Sequence, residues 1–384
     1  MPIKFLKASS YYPNYLEWFY NKHPHLRHAS YAEQHAALMY DSFALSDTWK
    51  RNLEATGQFL VEELVVNAEI LQKRWAQEHG CKYSEKSWMR DIFFAQFSAF
   101  NPRVLYAHGH DAGRELKDEL KAKFGSGLFV LCYDGVMHYD RGVAQNCDLM
   151  LTCVERAVGF YEAAGIRTHL MPWGFDADIL ARLNKLPTAT EVSFIGGISF
   201  GNSQQRIASL AALAKNVPAS YWLSNLPSRR TMVAALGWWI MHGNLKAVRR
   251  FIPLSRDVLC LSEKNHGTLY GREMLAVLAA SKMTLNIHSD RSEDQAGNIR
   301  LYEATGTGSC LVTDWKSNLG KSFEPDREVV TFRSPEEAAE KILFLLAHET
   351  ERKAIAERGH LRTLKSHCFG DRIREVGNIL REVL

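Results

Sequence analysis

The 384-residue sequence predicts an α/β protein made of two doubly wound halves that face a central cleft. Three observations carry this expectation. Short apolar runs alternate with longer stretches of helical spacing, the rhythm of strand, crossover helix and parallel strand. Several runs close in Gly, Asp or His, the residue types that an open parallel sheet gathers at its carboxyl edge. The rhythm is interrupted near 177–190, where Pro187 and small polar residues read as a linker, and then starts again.

In chain order, 3–6 reads as a first strand and 11–20 (YYPNYLEWFY) is rich in aromatics. Helical patterns dominate 31–78, with Leu60, Leu64, Ala68 and Leu71 at helical spacing. Strands are expected at 103–107, 128–133, 148–153 and 168–171, with charged or amphipathic helices between them. The second series offers strands at 192–196, 220–223, 258–261, 283–287, 310–313 and 329–332. Helices follow at 335–347 and 349–365, and 371–384 closes the chain. The domains are therefore expected at 1–178 and 188–367.

Composition narrows the function classes. The chain is 46% hydrophobic and 23% charged, so each half can bury a core. A net charge of +4 is too small to indicate nucleic-acid binding. The opening MPIKFLKASS lacks the apolar core of a secretory signal. Seven cysteines are scattered without a CxxC pair, which points to reduced thiols, a cytoplasmic protein and no zinc. The stretch 229–250 is apolar and framed by arginines. It is too short and interrupted to span a bilayer, and it suits either packing on its own sheet or a weak contact with a membrane surface.

The stretch richest in chemistry is 297–314, GNIRLYEATGTGSCLVTD. Asn298 is expected to cap a helix over 299–305, ended by Gly306 or Gly308. Gly297 and the first amides of that helix would face an anion, with Arg300 adding a two-pronged grip. Glu303 would accept bonds from neighbouring ribose hydroxyls. Its replacement by Ala is expected to leave folding nearly intact. An anion grip beside a diol grip describes a nucleotide-diphosphate site. A solvated helix face with a weak ion pair would use the same residues.

Other candidates lie at expected strand ends. Gly196 and Gly197 form a turn where backbone can approach phosphate, and Arg206 follows on a helix. Tyr270, with Gly271, opens another helix. His288 and Asp290 end the 283–287 run, and Trp173 and Asp176 follow 168–171. In the first half, His108, Asp111 and Asp134 lie past strand ends, where a general base or a sugar ligand would sit. No metal site is expected.

This order of features resembles the GT-B glycosyltransferases, in which two Rossmann-like domains face a cleft. The stretches GREMLAVLAASKMTLNIHSD, GNIRLYEATGTGSCLVTD, FEPDREVVTFRSPEEAAEKI and RGHLRTLKSHCFGDRIREV look more particularly like the CgeB group, spore-maturation-type proteins with a family 1/4-like transferase domain. DLMLTCVERAVGFYEAAGIRTHLMPWGFD and SFIGGISFGNSQQR fit the same group. The resemblance implies hexosyltransferase-like transfer from a nucleotide-diphosphate sugar, without a metal or cofactor and with retention of configuration. The acceptor would be a glycan, a protein or a small molecule. The resemblance covers roughly 148–384, so the catalytic roles expected of His108 and Asp134 rest on their places past strand ends in the first domain. It implies that Glu303 holds the donor ribose, and the positions read above add Gly196, Gly197, Arg206, Tyr270, His288, Gly297, Asn298 and Arg300 to the expected donor-binding residues. Related transferases carry a second carboxylate eight residues before the one matched by Glu303. Here that position is Gln295, so Glu293, Asp294 or backbone amides would replace it. A non-catalytic binder or a nucleotide-sugar epimerase on the same fold is the alternative. The fold also implies that 371–384 returns to the first domain, with Ile373, Val376, Ile379, Leu380 and Val383 as its apolar stripe.

Overall fold

A computed structural model describes residues 1–108, 116–135, 141–183, 190–198 and 203–384, without the side chains of Arg141 and Val143. Asp111 and Pro187 lie outside the described residues. The chain forms two compact units, Met1–Pro172 with Phe369–Leu384, and Trp173–Cys368.

The first unit holds six parallel strands: β1 (Ile3–Ser9), β2 (Phe59–Val65), β3 (Val104–His108), β4 (Phe129–Asp134), β5 (Leu149–Thr152) and β6 (Thr168–Leu170). Their order is β2-β1-β3-β4-β5-β6. Phe5, Leu6 and Ala8 are all fully buried, as expected of a central strand covered by helices on both faces. Strand β2 corrects the helical reading of 31–78. Phe59 and Val61 point inward while Leu60 and Glu62 point out, a period of two. Glu63 sits on the buried face, so a charge masked the apolar alternation.

The helix Phe369–Val383 belongs to this unit. Ile373, Val376 and Leu380 are buried, with Ile379 and Val383 partly so. A Cβ at Gly377 would come within 2.9 Å of Leu53 Cδ2, so the bare backbone lets this helix lie close to its neighbour. Arg374 Nη1 donates to Asn52 Oδ1 at 2.6 Å on the same neighbouring helix, Thr48–Glu54.

The second unit holds β7 (Thr190–Gly197), β8 (Ala219–Ser224), β9 (Ser281–Asn286), β10 (Cys310–Asp314) and β11 (Val330–Phe332). They run parallel in the order β11-β10-β9-β7-β8. The chain winds one way from β7 to β8 and the other way from β9 to β11. The crevice of such a sheet opens at the β7/β9 switch, outside the carboxyl ends. Two expectations change here. The run 258–261 is not a strand but the end of the helix Leu245–Glu263. Asn244 starts that helix by accepting from Ala247 N at 3.1 Å, and Phe251, Val258 and Leu261 fall on its buried side. The stretch 177–182, read as part of a linker, forms a 3-10 turn whose Ile179 packs with Ile195, Leu275 and Leu278 inside the second unit.

Candidate functional site

The second unit gathers charged groups around the ends of β7, β9 and β10. A Cβ on Gly196 would lie 2.9 Å from Arg206 Nη2, so the bare backbone makes room for this guanidinium. Arg206 Nη1 donates to the Gly197 carbonyl at 2.9 Å, and its guanidinium lies 5.3 Å from the Phe194 ring centroid. Its Nε is buried without a hydrogen-bond partner. Asp290 fixes the start of the helix Gln204–Asn216, accepting from Gln205 N at 3.1 Å and Arg206 N at 3.3 Å. A carboxylate suits that helix end.

His288 follows β9 with its side chain fully buried. Its backbone N and its Nδ1 both reach Asp314 Oδ1, at 3.0 and 2.7 Å. A carboxylate accepts, so Nδ1 carries a proton, and Nε2 is left without a partner. Burial pushes the Asp314 carboxyl up. The hydrogen bonds and charge of His288, with Lys316 beside it, outweigh burial and hold it below the usual range. Lys316 Nζ stands 3.3 Å from Asp314 Oδ2. Arg206, His288, Asp290, Asp314, Lys316 and Arg333 are among the residues lining a cleft of about 340 Å³.

Asn298 does not cap the next helix. That helix is Arg300–Gly306, with Ile299 at its cap position and no side-chain cap. Asn298 Nδ2 instead donates to Asn286 Oδ1 at 2.7 Å, and Asn286 Nδ2 donates to Thr313 Oγ1 at 2.9 Å. This chain of amides ties the loop to β9 and β10 and leaves Asn298 Oδ1 buried and open. With seven residues the helix carries a small dipole, so any anion grip rests on side chains. A Cβ at Gly297 would meet nothing within 4 Å. Tyr270 occupies the cap position of the helix Gly271–Ala279 without a side-chain cap bond, and Gly271 needs its positive φ of 51°.

Arg300 and Glu303 form the most unusual pair. Nη1 and Oε2 stand 2.8 Å apart, with the side chains only 14% and 13% exposed. The two are not aligned for a hydrogen bond. Arg300 Nε and Nη1 and Glu303 Oε2 are each left without one. Arg300 Nη2 rests on Met274 Sδ at 3.1 Å, a weak acceptor. Burial raises the Glu303 carboxyl, with Arg300 opposing it. Burial also lowers Arg206 to about 10; Asp314 and Asp290 pull it back up, while repulsion from Arg300 lowers it further. Two buried cations thus feel each other, an arrangement that an anion would relieve.

The first-unit candidates look different. His108 ends β3 with its ring 5.7 Å from Tyr133. Burial, aided by Lys7, lowers its pKa to about 3, so it is neutral near pH 7. Asp134 is buried and accepts from Tyr161 OH at 2.6 Å. In the second unit, Asp176 accepts from Asp178 N at 3.2 Å as a turn cap, and Trp173 packs beside Phe175 and Leu301. Gln295 Nε2 donates to Asp294 O at 3.2 Å. Asp314, Lys316 and Arg333 were not singled out from sequence. The only local signal was Asp314 closing an apolar strand.

Residues 226–378 match the sequence family described as "Glycosyl transferase-like". No curated protein matches the sequence. Among solved structures, the chain is similar to Anabaena HepE in complex with UDP and glucose, at 13% identity over 99% of this chain and 100% of that one, with a TM-score of 0.59. It is similar to sucrose-phosphate synthase from Thermosynechococcus elongatus, at 13% identity over 99% of both chains and a TM-score of 0.58. It is also similar to a glycosyltransferase from Rickettsia africae, at 10% identity over 100% of this chain and 98% of that one, with a TM-score of 0.56. At these identities the likeness speaks for architecture: the chain has two parallel-sheet, Rossmann-like domains of the GT-B type.

Proposed function

We propose that this chain is a glycosyltransferase that takes a sugar from a nucleotide-diphosphate donor held by its second unit. The observation that carries the reading is the buried Arg300–Glu303 pair, with its open Nε, Nη1 and Oε2, electrostatically coupled to Arg206. The match of 226–378 to a glycosyl transferase-like family supports it. The cations would hold the diphosphate, and Glu303 would accept from the ribose hydroxyls. HepE was captured with UDP, which makes uridine the first base to try.

In the reaction, an acceptor hydroxyl oxygen attacks the anomeric carbon. The bond from that carbon to the phosphate oxygen breaks, the nucleoside diphosphate leaves, and the hydroxyl proton passes to a base. Arg206 and Arg300 would stabilise the charge growing on the leaving phosphate, so we propose that no divalent metal is needed. His108, neutral at working pH, would accept a hydrogen bond from a substrate hydroxyl. A pKa near 3 makes it a weak general base. Asp134, shut behind Tyr161, is better suited to positioning than to proton transfer. We further propose retention of configuration, hexosyl transfer and a place in the CgeB-like group. Free cysteines, Cys310 and Cys132 among them, support a cytoplasmic setting. The acceptor class is open to a glycan, a protein or a small molecule.

A thermal-shift screen of UDP, GDP, dTDP, ADP and CMP sugars tests the donor assignment, since a ligand bound only by the folded state raises the melting temperature. Release of nucleoside diphosphate from the best binder should follow, with EDTA without effect. No shift with any donor would refute the reading.

A further inference from the structure

One surface of the second unit lies apart from this chemistry. The helices Arg229–Met241 and Leu245–Glu263 form a hairpin closed by three residues. Its inner side is anchored: Met232, Phe251, Val258 and Leu261 are buried, and Trp239 packs edge-on against Phe251 at 4.8 Å. Its outer side and tip are apolar yet uncovered. Met241 is 78% exposed and Leu245 is 66% exposed, on either side of the turn, with Trp238 and Ile240 exposed just before it. On the second helix Leu245, Arg249, Ile252 and Arg256 recur at spacings that place them on one outward face.

Around the tip the charge has one sign, and Asp257 and Glu263 lie further along the second helix. No Asp or Glu occurs from Asn225 to Arg256, while Arg229, Arg230, Lys246, Arg249, Arg250 and Arg256 do. Buried ordinary helices do not expose a tip of this kind, and exposed patches of apolar side chains mark interaction sites. A purely apolar patch would suit another protein. Apolar side chains interleaved with long cations suit the boundary between acyl chains and anionic headgroups, where the stems lie among the lipid and the charged heads stay wet. Among the described residues no helix is long and apolar enough to cross a membrane, so the contact is one of lying on the surface.

We propose that the tip of this hairpin docks on an anionic membrane surface, with Trp238, Ile240, Met241 and Leu245 entering the headgroup layer and Lys246, Arg249 and Arg250 pairing with lipid phosphates. The inference is independent of the nucleotide reading, and a failure of either leaves the other standing. The test is co-sedimentation of the full chain with vesicles of phosphatidylcholine, with and without phosphatidylglycerol. Binding should require the anionic lipid and should weaken as salt is raised. Arg249→Gln with Arg250→Gln should weaken it roughly thirtyfold, about fivefold for each charge. Met241→Ser with Leu245→Ser should weaken it roughly tenfold. All four positions are exposed, so both variants should melt with the wild type. A chain that stays in solution with anionic vesicles, or variants that bind as the wild type does, would overturn the proposal. So would self-association of the purified chain through this tip without vesicle binding, which would make a second copy the occupant.

Discussion

A buried ion pair lies near the carboxyl ends of the strands in each unit, and the two pairs, Lys7–Glu63 and Arg300–Glu303, are finished differently. In the first unit, Lys7 Nζ meets Glu63 Oε2 at 2.9 Å with both side chains 4% exposed. The same carboxylate also takes Lys50 N at 2.8 Å and Asp47 N at 3.3 Å. In the second unit, Arg300 and Glu303 are as close, but three of their polar atoms are open. The first unit's own open atoms include the neutral hydroxyls of Ser9 and Ser10, which cost far less to bury than charges do. A pair completed by its own chain is architecture. A charged pair left incomplete invites a ligand to complete it, which is why we propose the site in the second unit.

The largest effect should come from breaking the completed pair. Glu63→Gln strips the Lys7 ammonium of its counter-charge and leaves one acceptor oxygen where two now serve Lys7 and the start of the Thr48–Glu54 helix. It should cost about 3–5 kcal/mol of stability by denaturant unfolding, with no rescue by nucleotide. Arg300→Gln should behave in the opposite way. Glu303, already raised by burial, can take up a proton and stay neutral, so folding should change little. Diphosphate binding should weaken by about 1.5–3 kcal/mol, on the order of tenfold to hundredfold, while nucleoside binding holds. Equal unfolding losses in the two variants would erase the distinction between the pairs.

A third test uses pH. The folded pKa of His108 is depressed to about 3, below its unfolded value of roughly 6.5. Between those values the unfolded chain binds the extra proton, so stability is lost as pH falls through that window. His108→Gln should remove up to about 1.4 kcal/mol of this slope per pH unit. An unchanged slope would mean that His108 is open to water. The smallest effect is expected for Glu303→Gln, which keeps an acceptor. It should weaken a ribonucleotide by about 1 kcal/mol and its 2′-deoxy analogue by less. Glu303→Ala is the poorer probe. The expectation that it leaves folding intact ignores the buried Arg300, which would then lack its counter-charge.

Much of the architecture was legible because parallel strands are short apolar runs with sharp ends. The runs at 103–107, 128–133 and 310–313 could hardly be anything else. Strand β2 was hidden because Leu60 and Leu64 fit a helix as well as a strand, and because Glu63 is buried by a partner far away in sequence. The run at 258–261 misled in reverse: four apolar residues say nothing of a helix that began at Leu245. Within the site, Arg300 and Glu303 were visible through their spacing of three. The partnership of His288 with Asp314 spans 26 residues and depends on β9 lying beside β10, so no local pattern announces it. Asn298 looked like a cap because Asn is a favoured cap residue, but its Nδ2 is tied to the buried Asn286 of β9, and Ile299 takes the cap position.

Calorimetric titration of UDP and uridine into the wild type and into the Arg206→Gln, Arg300→Gln double variant tests the central claim most directly. Should another nucleotide lead the screen, its diphosphate and nucleoside replace them. The account predicts that the double variant loses roughly a hundredfold or more in affinity for the diphosphate and little for the nucleoside. The same diphosphate affinity in both proteins would contradict it, and would mean that the two buried guanidiniums serve the fold alone.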